Sequence, residues 1–190
     1  MRLIRKDNPF PSACAYVCEH PCEAQCRRRM VDDAVNICGL KRFAVDHGED
    51  TPVPEKAPET GKTVAIIGGG PAGLSCAYFL AVQGYKPTVF EKNERPGGML
   101  RYGIPSFKLE KNVIDAEIDI LRELGVDIRC GVEVGKDVTL AELRRQATGR
   151  SISPSAARAG AGPVCPARTP RALRPPSTCC APSAVTRAAK

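Results

Sequence analysis

The chain has 190 residues, enough for one ordinary domain and an appendage. Its formal charge is +7, but seven of its 28 basic residues, and none of its 21 acidic ones, lie from Ala147 onward. The preceding part is therefore neutral, which argues against a nucleic-acid surface there. No apolar run approaches the length of a membrane span. Met1-Arg2-Leu3-Ile4-Arg5 has no apolar signal core, so the expected location is the cytoplasm. Ten Cys in a reducing compartment point to metal or redox chemistry rather than to disulfides.

Residues 1–50 hold a dense feature, NPFPSACAYVCEHPCEAQC, in which Cys14, Cys18, Cys22 and Cys26 recur every four residues. Pro9, Pro11 and Pro21 rule out one unbroken helix, so the spacing predicts a loop with short helical turns. Thiolates gathered this way suit an Fe–S cluster or zinc. Zinc sites favour close Cys pairs set apart by a longer span, which a single even run matches less well. The competing reading, packed apolar thiols, suits so dense a run poorly. Asp32-Asp33 is expected to cap a helix ending at Gly48, with Ala34, Val35, Ile37, Leu40, Ala44 and Val45 on its apolar side. Cys38 within it reads as a core thiol, with a fifth ligand as the competing view. Residues 51–62, rich in Pro and charge, read as a linker.

Residues 63–146 carry the pattern of a Rossmann-like α/β unit. Val64 to Ile67 reads as a buried strand that meets Gly68, Gly70 and Gly73, in the G-x-G-x-x-G spacing, followed by the helical segment LSCAYFLAVQG. The first glycine permits a tight turn, the second admits a pyrophosphate, and the third lets the helix lie close on the strand. Pro71 and Ala72 open the helix, whose free N–H groups and positive dipole end favour phosphate. Lys86 to Phe90 reads as a second strand ending at Glu91, about 20 residues past the glycines, where a carboxylate can accept from ribose hydroxyls. Pro96-Gly97-Gly98 marks a turn with a second close backbone approach to a cofactor, or else a long surface loop. Leu109 to Leu124 is predicted as an amphipathic helix stopped by Gly125. Val126 to Cys130 alternates as a strand, and Val138 to Arg145 as a helix with Thr139 at its N-cap.

Residues 147–190 have no acid and no aromatic residue, and cannot bury enough surface to offset the entropy of ordering them. They read as a low-complexity tail, either disordered, translated out of frame, or a basic binding tail.

These motifs resemble a known family. NPFPSACAYVCEHPCEAQC, VNICGLKRFA, VAIIGGGPAGLSCAYFLAVQGY and FEKNERPGGMLRYGIPSFKL, in that order, are similar to the small (beta) subunit of NADPH-dependent glutamate synthase and to the FAD and Fe–S region of dihydropyrimidine dehydrogenase. The resemblance covers residues 3 to 146. It implies that Gly68, Gly70, Pro71, Ala72 and Gly73 hold the pyrophosphate of FAD and that Glu91 binds its ribose. It places Gly97, Gly98, Met99 and Lys108 along the cofactor. It implies that Cys18, Cys22 and Cys26, with Cys14 as a recurrent fourth position, are ligands of 4Fe–4S clusters. NADPH would reduce FAD, and electrons would pass through the clusters to a partner, the glutamate synthase large subunit or another acceptor. The family also carries a further Cys run upstream, a strand after Gln146 and an NADPH-binding domain; the chain reads as an N-terminal fragment without them. No catalytic acid or base is expected from these residues. The competing functional class is a non-catalytic metal-binding or assembly stub, and a third expectation is a truncated sheet that does not fold stably.

Overall fold

The computed structural model describes residues 1–48 and 53–146. All of these residues belong to the first of two units. The second, Ala157–Lys190, lies outside the described residues, as do the whole expected tail and any strand following Gln146.

The cysteine-rich part is built from short pieces, as its prolines require. Helix α1 is Arg2–Asp7, α2 is Pro11–Val17, α3 is Pro21–Ala24, and a 3₁₀ turn follows at Arg27–Met30. Pro11 and Pro21 stand at the first helical position, where a missing N–H costs nothing. Helix α4, Ile37–Asp46, starts later than Asp32-Asp33 predicts. The correction has a local cause. The Asn36 side chain accepts from the Gly39 N–H at 2.8 Å and caps the helix there. Asp32 is turned back onto Arg28.

The rest is a three-stranded parallel sheet in the order β1 (Thr63–Ile67), β2 (Lys86–Glu91), β3 (Asp127–Cys130). Helix α5, Pro71–Val82, connects the first two strands. Helices α6, Met99–Tyr102, and α7, Lys111–Glu123, connect the second two. Parallel neighbours need such crossovers. Pro87 sits in the central strand, yet β3 begins its pairing one residue later, at Thr88. Its missing N–H therefore faces no partner on that side. The short helix α6 follows the Pro96-Gly97-Gly98 turn, in a segment the sequence read as a close approach to a cofactor or a long surface loop. Helix α8, Leu140–Gln146, opens with a capping box: the Thr139 N–H donates to Glu142 Oε2 at 2.8 Å, and the Glu142 N–H donates to Thr139 Oγ1 at 3.3 Å.

The strand period of two sends Val64, Ile66 and Val89 to one face of the sheet. There they meet Leu74, Ala77 and Tyr78 of α5 and Ile114, Ile118 and Leu121 of α7. Phe10 and Ala13, at the start of α2, are buried in this same cluster, so the cysteine-rich segment and the sheet unit share one core. Ala65, Phe90 and Leu143 of α8 form a smaller cluster. The segment expected to be a free linker is tied down over its described part. The Ala57 N–H donates to the Val82 carbonyl at 2.8 Å and the Thr60 N–H to that of Gly84 at 2.9 Å. Gly84 has φ +82°, and a Cβ on it would lie 2.2 Å from the Pro58 carbonyl oxygen.

Candidate functional site

Two glycine turns meet at the C-terminal ends of β1 and β2. Gly68 leaves β1 with φ +104°, and its N–H donates to the Phe90 carbonyl at 2.8 Å. Gly70 is the N-cap of α5 and offers no side chain to the first-turn amides. Those amides have no acceptor within the helix. Pro71 and Ala72 are exposed, whereas Gly73 is buried. A Cβ on Gly73 would lie 1.9 Å from the Gly68 carbonyl oxygen, so only glycine lets α5 lie this close to the turn.

The second turn packs directly on the first. The Gly97 N–H donates to the Gly69 carbonyl at 2.7 Å. Gly98 has φ +51°, and a Cβ there would fall 2.7 Å from the Gly70 Cα. Two lengths of bare backbone thus lie against each other at the mouth of a helix, a cradle that any side chain would fill. The residues present fit the diphosphate of a dinucleotide. Met99 opens α6 and is exposed. Lys108 lies exposed in the turn after it, its N–H donating to the Pro105 carbonyl at 3.0 Å.

Glu91 ends β2 and is buried. Its Oε2 accepts from the Gly69 N–H at 2.6 Å, so that amide points to the carboxylate rather than outward. Its Oε1 accepts from the Asn93 N–H at 2.9 Å and from Asn93 Nδ2 at 2.5 Å. An ionised carboxylate has about four acceptor positions, which leaves capacity for one more donor. Beside it, burial and then the Glu91 charge push the Cys130 thiol above its ordinary range.

Arg101 anchors the second turn, and nothing in the sequence pattern singles it out. It is 8% exposed; its Nε donates to the Pro96 carbonyl at 2.8 Å, and its guanidinium pairs closely with Asp115 of α7. Lys111 Nζ donates to the Ile104 carbonyl at 2.5 Å and braces the same loop.

The four spaced cysteines lie along α2, α3 and the turns around them. Cys14 is within α2, with its thiol 3.8 Å from Asn8 Oδ1. Cys18 follows α2, and its sulfur accepts from the His20 N–H at 3.3 Å. Cys22 is exposed on α3. Cys26 precedes the 3₁₀ turn. Hydrogen bonds from the backbone at Val35, then Arg28 and Arg29, hold its thiol below the ordinary range, and the Arg28 charge adds to this. These are free thiols. Sulfurs with amide donors aimed at them suit thiolate ligation. Among the described residues, however, no three Cys, His, Asp or Glu side chains come together around one ion, so the structure does not gather the four into a closed site. Cys38 packs as a thiol: its sulfur is 3.9 Å from the Ala15 carbonyl, and its N–H donates to Glu23 Oε1 at 2.7 Å.

Comparison with known proteins agrees with this division. Residues 1–52 match the model of dihydropyrimidine dehydrogenase domain II, 4Fe–4S cluster, and residues 66–124 that of an NAD(P)-binding Rossmann-like domain. The chain is 44% identical over 162 residues to the NADPH–Fe(3+) oxidoreductase subunit beta of Geobacter sulfurreducens, covering 82% of this chain and 24% of that protein. It is 42% identical over 149 residues to the glutamate synthase [NADPH] small chain of Bacillus subtilis, covering 77% and 30%. It is 44% identical over 148 residues to the NAD-dependent dihydropyrimidine dehydrogenase subunit PreT of Escherichia coli, covering 75% and 36%. The chain thus spans about a quarter to a third of the length of these relatives. Among the described residues no helix is long and apolar enough to cross a membrane. The cysteine-rich segment matches a 4Fe–4S domain and the glycine-turned unit a Rossmann-like domain, and across both the chain is similar to subunits of NAD(P)-dependent oxidoreductases.

Proposed function

We propose that this chain is the FAD- and 4Fe–4S-binding part of a glutamate-synthase-type oxidoreductase that passes electrons from NADPH to a partner. The single observation that carries the reading is the seating of Gly98 on Gly70 beside the buried carboxylate of Glu91. Gly68, Gly70, Pro71, Ala72 and Gly73 form the turn that holds the diphosphate, with N–H donors from the first turn of α5 after Pro71, which has none and serves to open the helix. Glu91 takes a ribose hydroxyl with its one remaining acceptor position. Gly97, Gly98 and Met99 lie along the cofactor, with Lys108 as a further contact to it. Cys14, Cys18, Cys22 and Cys26 supply thiolates; the His20 N–H is aimed at the Cys18 sulfur, and backbone donors favour the charged form at Cys26. The bound groups supply the redox chemistry, a two-electron change at the flavin and one-electron changes at iron. The protein's work is to bind, to orient and to exclude water. No side chain at the cradle stands as a general acid or base. Functionally, residues 1–50 form the cluster-binding part, 51–62 the connection and 63–146 the dinucleotide part. The acceptor is a larger partner subunit, that of glutamate synthase or its counterpart.

A nicotinamide dinucleotide shares the diphosphate and adenosine ribose, so the same cradle suits it. The test is to purify the full chain anaerobically, release its cofactor with acid and identify it, alongside a visible spectrum and iron assay. FAD with iron supports the proposal. NADP in place of FAD moves the site to the nicotinamide class. Colourless protein containing zinc overturns it in favour of a binding stub.

A further inference from the structure

We propose that Glu117 is a positioning residue that seats the cysteine-bearing segment on the dinucleotide unit in one register. The proposal rests on the function proposed above for its purpose, though not for its geometry. Glu117 lies on α7 among Ile114, Ile118 and Leu121, and is 2% exposed. A carboxylate in that stripe is costly unless its oxygens are satisfied. Both are. Oε1 accepts from the Ser12 N–H at 2.6 Å and Oε2 from the Ala13 N–H at 3.2 Å. Ser12 and Ala13 are in the first turn of α2, whose N-cap, Phe10, makes no side-chain hydrogen bond. The cap of this helix therefore comes from more than a hundred residues away, on the other functional part of the chain.

Two further contacts close the arrangement. Tyr78 of α5 donates its hydroxyl to the Arg5 carbonyl at 2.7 Å. Arg5 is itself 2% exposed, its Nη1 donates to the Pro9 carbonyl at 3.4 Å, and its charge is coupled to that of Glu117. Phe10 and Ala13 bury apolar surface in the same place, but that attraction has no direction. A leucine at 117 would serve adhesion as well. Only a two-oxygen acceptor fixes which turn of α2 faces α7. That turn carries Cys14 and leads to Cys18, so the contact sets where the thiolates stand relative to the cradle at Gly70.

The test compares Glu117→Leu, Glu117→Gln and the unaltered full chain by amide-resolved hydrogen exchange, with a thermal melt of each. With Glu117→Leu, exchange at Ser12 and Ala13 should rise roughly tenfold or more, while the core amides of α7 keep their protection. Glu117→Gln keeps one acceptor oxygen and turns an NH₂ toward the second donor, so protection should return at one of the two amides and not the other. That split is a signature that general loosening does not produce. Equal exchange at both amides in all three proteins, or a uniform rise across α2 and α7 in both variants, overturns the proposal. The measurement needs no cofactor. Absence of flavin or iron from the unaltered protein defeats the proposed function and leaves this inference to be decided by the exchange rates.

Discussion

Replacing Gly73 with Ala sets two effects against each other. Alanine is the better helix former by about 1 kcal/mol, and Gly73 has an ordinary helical backbone within α5. On propensity alone the change should stabilise the protein. The added Cβ, however, would lie 1.9 Å from the Gly68 carbonyl oxygen and 3.1 Å from its carbonyl carbon. Real Cβ contacts do not fall below 3.0 Å, so α5 and the Gly68 turn must part by more than an ångström. The obstacle is backbone, which cannot swing aside as a side chain can. Overpacking of this kind costs about 1–3 kcal/mol, at the upper end here, so the net loss should be about 1–2 kcal/mol. For a body of this size that is a fall of roughly 3–10 °C in melting temperature. Gly61→Ala is the control. Gly61 has φ +70° and nothing within 4 Å of the new atom, so it should show only the left-handed backbone penalty and leave dinucleotide binding unchanged. The assays are a thermal melt and a titration with FAD followed by flavin fluorescence. A Gly73→Ala protein that melts at or above the unaltered temperature and binds FAD equally would refute the close seating of α5 on the turn.

Arg101→Lys should lose the guanidinium's simultaneous hold on the Pro96 carbonyl and Asp115, lowering stability by about 1–3 kcal/mol and weakening dinucleotide binding together; a urea melt with a parallel titration reads both. Asn36→Ala should cost about 1 kcal/mol by uncapping α4, visible as a lower urea midpoint with dinucleotide affinity unchanged. Burial, outweighing the Ser12 and Ala13 amides, raises the Glu117 pKa above its ordinary 4.5, so folding favours its protonated form. Its contribution is therefore fully present below 4.5 and is lost as pH rises through the raised value. Urea midpoints measured upward from 4.5 should show this decline in the unaltered chain and not in Glu117→Gln. The lowered carboxylates Asp32, Asp46, Glu59 and Glu142 act below their ordinary values and fall outside that window.

Much of this was legible in the sequence. The glycine spacing, the β-branched run before it and the acid at the end of the next run are local features with local causes. They marked β1, α5, β2 and Glu91 because a tight turn, a strand period and a helix start are each decided within a few residues. The prolines likewise foretold a broken cysteine-rich segment. Helix α4 was misjudged at its start because two acidic residues and one Asn all make plausible caps, and only the turn at Arg28 and Asp32 decides between them.

By itself the sequence determined which residues could bend, which could cap and which could carry a thiolate, since those properties belong to single side chains and near neighbours. The tertiary structure alone decided that Gly98 lies on Gly70, that Arg101 reaches Pro96 and Asp115, and that Ala57 and Thr60 of the expected linker bond to the end of α5 and the turn after it. It also decided that Glu117, one charge in an apolar stripe, holds the first turn of α2. Such contacts join residues distant in the chain, and their strength comes from removing water around both partners at once, which no local pattern records.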